Sequence, residues 1–83
     1  MPNYYFHVTD GQNYPDLRGM PLADLHAAKK EAVQFTGDML IQAPDDFCSG
    51  KQWSVKVVDE EKNLVFEVVV NASNYTTEMP VAH

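Results

Sequence analysis

The chain has a single cysteine, Cys48, so no disulfide can form within it. No apolar run approaches the roughly 20 residues that a membrane-spanning helix needs. Six Lys and Arg stand against twelve Asp and Glu, a net charge of −6, and the lysines are scattered. That balance lacks the basic footprint of nucleic-acid binding and excludes that class of partner. The four glycines are isolated from one another, which rules out a phosphate loop or a dinucleotide fingerprint. No G-x-S-x-G is present, and no second cysteine or histidine stands at metal-ligand spacing. The opening MPNYYFHV has neither the basic nor the apolar stretch of a secretory leader, so the expected compartment is the cytoplasm.

What is present is ordinary globular composition, with 45% hydrophobic and 22% charged residues in 83 positions. A chain of this length makes one domain with a small core, one helix against one sheet. We expect that domain over residues 1–70 and a polar, flexible tail over 71–83.

Residues 4–9, YYFHVT, have strand composition. Tyr4, Phe6 and Val8 share one side of that strand and Tyr5, His7 and Thr9 the other. Asp10-Gly11 marks a turn, and a loop continues through Asp16. A short strand is expected around Gly19–Leu22, and Pro21 confines it to a sheet edge. Asp24 is placed to cap a helix that Pro44 ends near Ala43. Its apolar positions Leu25, Ala28, Ala32, Phe35 and Met39 recur at steps of three and four, with Val33 and Leu40 beside them. Gly37 either weakens that helix or admits a bulky neighbour. Residues 44–51 read as a loop. Two strands follow, with inward sets Trp53, Val55, Val57 and Leu64, Phe66, Val68, Val70, joined by the polar Glu60-Glu61-Lys62.

The expected fold is α+β: β-β-α-β-β, one helix on a four-stranded, mainly antiparallel sheet. The order 2-1-3-4 leaves all neighbours antiparallel, with 2-1-4-3 as the alternative. One helix covers one face only. The face left over carries Tyr5, His7, Thr9, Ser54, Lys56, Val58, Val65, Glu67 and Val69, more apolar than a plainly solvated face. Tyr5, His7, Lys56, Val58, Val65, Glu67 and Val69 are the candidate interaction residues, with Lys56 and Glu67 placed to set register.

His7 could serve as a base or ligand, or as a strand histidine that packs on Tyr5 or bonds across the sheet. Asp10 and Asp16 flank DGQNYPD without the alternating oxygen pattern of a calcium loop. Cys48 has no activating base nearby in sequence. No catalytic residue, metal site or cofactor is assigned from these residues.

The residues Met1-Pro2-x-Tyr4-x-Phe6-His7-Val8-x-Asp10-Gly11 open the chain. Pro15-Asp16-x-x-Gly19-x-x-Leu22-x-Asp24-Leu25-x-Ala27-Ala28 and Glu31-Ala32 follow, and Val55, Val57 and Asp59 close a strand. Over residues 1–70 this resembles a family of small bacterial proteins classed as a domain of unknown function. The chain departs from it at Tyr5, where phenylalanine is common, and in its polar tail. The resemblance implies a small single-domain protein and brings no activity, cofactor or catalytic residue. The leading functional expectation is a non-enzymatic domain that works by self-association or protein–protein interaction through the open sheet face, as a homodimer or with another protein. The alternatives are an antitoxin-like regulatory partner and a small ligand-binding domain or enzyme using His7.

Overall fold

The computed structural model describes residues 1–76. Five strands and two helices follow one another as β1 (Asn3–Thr9), β2 (Asn13–Tyr14), β3 (Met20–Pro21), α1 (Leu25–Gln42), α2 (Pro44–Cys48), β4 (Gln52–Val58) and β5 (Leu64–Asn71). The fold is the expected α+β arrangement. The sheet order is β2-β1-β4-β5, antiparallel throughout, with β3 bonded to the same outer edge of β1 as β2. The expected second strand is β3, at the edge that Pro21 requires. The two-residue β2 is an addition: the chain after Asp10-Gly11 returns along Val8 and Thr9 before it leaves the sheet.

Asp24 caps α1 by accepting from the Ala27 amide at 2.9 Å. The helix ends at Gln42, where the residue before Pro44 is turned away from helical dihedrals. Ala28 and Ala32 are fully buried, and having nothing beyond Cβ they let α1 lie close on the fully buried Val55 and Val57 of β4. Tyr4 completes this core, with Phe6, Val8, Leu22, Met39, Phe66 and Val68 packed around it.

Three expectations about the core are corrected. The buried helix stripe runs Ala28, Ala32, Thr36 rather than through Leu25 and Phe35, which lie at its margins and stay over one-third exposed. Thr36 tolerates burial because its hydroxyl donates to the Ala32 carbonyl one turn back, at 2.8 Å. Residues 44–48 form the helix α2 rather than a loop. Pro44 starts it, Asp45 and Asp46 lie in its first turn, and it buries Phe47 against Trp53 with ring centroids 4.4 Å apart. In β5 a register shift between Val57 and Val58 sets Leu64 opposite Val58 and makes Val65 the extra residue of a bulge. Leu64 is consequently 57% exposed instead of facing inward, while Val65 is half-buried and packs against the core cluster.

The β4–β5 connection is built by Asp59, whose carboxylate accepts from the amides of Glu61 and Asn63, each at 2.9 Å. Lys62 closes this turn at φ 68°, in the left-handed region. The last strand ends at Asn71, and Asn74 ties the following segment to the Cys48 carbonyl at 3.2 Å. Residues 77–83 of the expected flexible tail lie outside the described residues.

A methyl group added at Gly37 meets nothing within 4 Å. Gly37→Ala should therefore stabilise the protein by about 0.5–1 kcal/mol, read from urea unfolding. Ala32→Leu should do the reverse by about 1–3 kcal/mol, because it overfills the closest helix–sheet contact.

Candidate functional site

Along an antiparallel strand, successive residues point their main-chain amide and carbonyl to opposite edges. On β1 the residues that point away from β4 are Tyr4, Phe6 and Val8. Tyr4 is paired with Met20 of β3, and Val8 with Tyr14 of β2. Neither short strand reaches Phe6. Its amide donates instead to Oδ2 of Asp16, at 3.1 Å, so one carboxylate fills the gap between two fragments of strand.

Asp16 is held by the loop it organises. Its Oδ1 accepts from the amides of Arg18 (3.0 Å) and Gly19 (3.1 Å), the local turn that an aspartate three residues before a glycine favours. Its own amide donates to Nδ1 of His7, at 2.9 Å. Burial pushes the Asp16 carboxyl up, but the amides of Gly19, Phe6 and Arg18 outweigh it and hold the group below its ordinary value. His7 accepts this bond only with Nδ1 free of a proton, which leaves the proton on Nε2. Gly19 sits at φ 74°, and a Cβ there would come within 2.8 Å of Cε1 of Tyr5. The loop thus folds over the helix-free side of β1, with Tyr5 against Gly19 and His7 against Asp16.

The helix-free face is organised in three rows across β1, β4 and β5: Thr9–Ser54–Val69, His7–Lys56–Glu67 and Tyr5–Val58–Leu64. The candidate residues Tyr5, His7, Lys56, Val58, Glu67 and Val69 all fall in these rows. Val65 lies in the bulge at the edge of the face, turned toward the core cluster. The middle row is polar. The outer rows expose Val69 (46%) and Leu64 (57%). The loop at Asp16 lies against the β1 side of this face, so the rows are open mainly over β4 and β5. A groove of about 510 Å³ runs where the loop meets the sheet, lined by Tyr5, His7, Asp16, Leu17 and Val58 among others.

No group of three or more His, Cys, Asp or Glu side chains converges into a metal-binding set among the described residues. Cys48 is exposed at the end of α2, and no described helix is long and apolar enough to cross a membrane.

Three residues of this arrangement escaped sequence reading: Asp16 as the partner of the Phe6 amide, Gly19 as the seat of the Tyr5 ring, and Leu64 as part of the open face. The spacing Pro15-Asp16-x-x-Gly19 is the signal for the first two. The third depends on a bulge that no residue type announces.

An antiparallel α+β domain with one main helix on one face of its sheet is the class this geometry defines. Residues 3–71 match the model of the family described as Domain of unknown function (DUF6894), and the chain belongs to that family. No curated protein and no solved structure matches it significantly.

Because Asp16 releases its proton more readily in the folded chain, its contribution is complete above the unfolded carboxyl value of about 3.9 and is lost as pH falls through the lower folded value. Asp16→Asn should cost about 1–2 kcal/mol near neutral pH, through weakened bonds to the three amides. The gap between variant and parent should narrow below about pH 4, a trend that urea unfolding over a pH series would read. Gly19→Ala should cost at least about 1 kcal/mol, since the left-handed backbone and the Tyr5 ring both resist it.

Proposed function

We propose that this chain is a non-enzymatic association domain, and that it associates through the β4–β5 side of its sheet. The observation that carries this reading is the contrast between the two sides of the sheet. On the β1 side, loop and short strands engage the main-chain edge, and Asp16 and Gly19 lie against the helix-free face. On the β4–β5 side the outer edge of β5 has no partner among the described residues, and Leu64 and Val69 are exposed beside it. A chain that buries only seven hydrophobic residues among those described has much to gain from covering more apolar surface.

Charge supports the same surface. The molecule carries −6 overall, yet on this side of the sheet Lys56 and Glu67 stand directly opposite one another and cancel. Two like-charged molecules meet with least repulsion at such a locally neutral patch. His7 is accounted for by its bond from the Asp16 amide, which supports a structural role for the ring.

The test is a dilution series followed by amide NMR. Over about a hundredfold dilution, wide enough to cross a micromolar dissociation constant, the resonances of 52–58 and 64–71 should shift together. Those of Asp16, Arg18 and Gly19 should stay in place. Spectra independent of concentration, with a monomer's tumbling time throughout, would remove self-association from consideration.

A further inference from the structure

The direction of one amide fixes the direction of all the others in the sheet. The Phe6 amide points to Asp16, away from β4. Tyr5, His7 and Thr9 therefore point their main-chain groups toward β4, and their partners Val58, Lys56 and Ser54 point back. On β4 this leaves Trp53, Val55 and Val57 to bond β5, where they meet Val70, Val68 and Phe66. The groups of Glu67, Val69 and Asn71 consequently point outward from the sheet.

This outward edge has few of the devices that keep edges apart. Leu64–Asn71 is eight residues long, carries no proline or lysine, and has a single charge, Glu67; its bulge lies at the far end, at Val65. The helix above continues the same surface. Lys29 lies over the Phe66 ring at 5.6 Å, which places that flank of α1 on the β5 side. At 100° per residue, Val33 and Leu40 share the flank, and they are 55% and 37% exposed.

We infer that the occupant of this edge is a second copy of the chain, its β5 paired antiparallel with this β5 across a two-fold axis at Val69. The inference rests on the association reading above and gives it a partner and a geometry. Centred on Val69, the register sets each Glu67 opposite the other copy's Asn71, so the strand's only charge meets an amide rather than its own copy. Strands pair at about 4.8 Å, and α1 rests equally on β4 and β5, so its axis stands about one strand spacing from the two-fold axis. The two helices then lie about 9–10 Å apart, within the 8–10 Å at which helices pack, with Val33 and Leu40 between them. Two sheets become one, and the helices share a second apolar contact. Because each copy carries −6, added salt strengthens the pairing.

Proline separates this geometry from a general stickiness of the open face. At Val69 it removes an outward amide and no bond to β4, a position that edge strands tolerate. Molar mass by light scattering across a concentration series should rise toward twice the chain mass for the parent. Val69→Pro should keep the parent's circular dichroism and remain monomeric. Leu40→Glu, which leaves the strand untouched, should raise the dissociation constant about tenfold or more, an expectation set by the loss of one apolar contact between helices. Hydrogen exchange should show Glu67, Val69 and Asn71 protected in concentrated parent and unprotected on dilution. A parent dimer that both variants leave intact would overturn the edge geometry while the association reading stands. A parent that is monomeric at every concentration would overturn both. Protection of the three amides at every dilution in a monomer would show an edge already covered within one chain, and overturns the inference as well.

Discussion

The hydrogen bond from the Phe6 amide to Asp16 is the constraint on which the rest of this small sheet depends. β1 is central, and its outer edge has to be satisfied by whatever the connection to α1 can supply. That connection comprises residues 10–24, between Thr9 and Leu25. It returns in two fragments, β2 and β3, and they leave one amide between them. A single carboxylate closes that gap, and the same carboxylate takes the amides of Arg18 and Gly19 that hold its own loop. The two tasks support each other: the turn aims Asp16 at Phe6, and the bond to Phe6 fixes the turn. His7 adds a third tie from the neighbouring position on β1, on the opposite side of the pleat.

The packing follows from how little apolar bulk the chain has to spend. Val55 and Val57 are the only large side chains fully removed from water among the described residues, and each such burial is worth about 1.5–3 kcal/mol. Two alanines above them trade side-chain volume for closeness, so that the backbone of α1 itself covers the sheet. Phe47 and Trp53 extend the core at the end of β4, where α2 brings one ring onto the other. Of the exposed apolar residues of α1, Val33, Leu40 and Phe35 lie on the flanks. These flanks and the exposed part of the open face are the apolar surface that the proposed association would cover.

Much of the architecture is legible in the residues because each signal is local. Asp24 before a three-and-four repeat, Pro44 after it, and the alternations around Val55 and Val68 report caps, stops and pleats that neighbouring residues determine. Pro21 reports an edge because its missing amide cannot serve a ladder. The misreadings share a different origin. Phe35 and Thr36 compete for the same face, and only the seating of α1 over β4 and β5 decides that Thr36 is beneath it. Leu64 belongs to the open face because one residue is added to β5, and a bulge changes which side every residue beyond it occupies. Asp16 is visible as a turn former, but its bond to Phe6 depends on where two strand fragments stop. The candidate face was readable as a set of alternating residues; how much of it the loop leaves open was not.

The two edges of the sheet also differ in how they are finished, and the difference has a physical basis. At β1 the chain passes the edge on its way to α1, so the loop can cover it at the cost of ordering a few residues that must be there in any case. At β5 the strand is the last regular element described, and no later strand or helix among the described residues lies along it. The pleat couples these ends. Once Phe6 turns its amide to Asp16, every second residue across four strands is committed, and the outward set on β5 is Glu67, Val69 and Asn71. Their side chains fall on the helix-free face. The free main-chain edge and the exposed part of the open face therefore meet along the same three residues, and a partner that binds either one is in contact with the other.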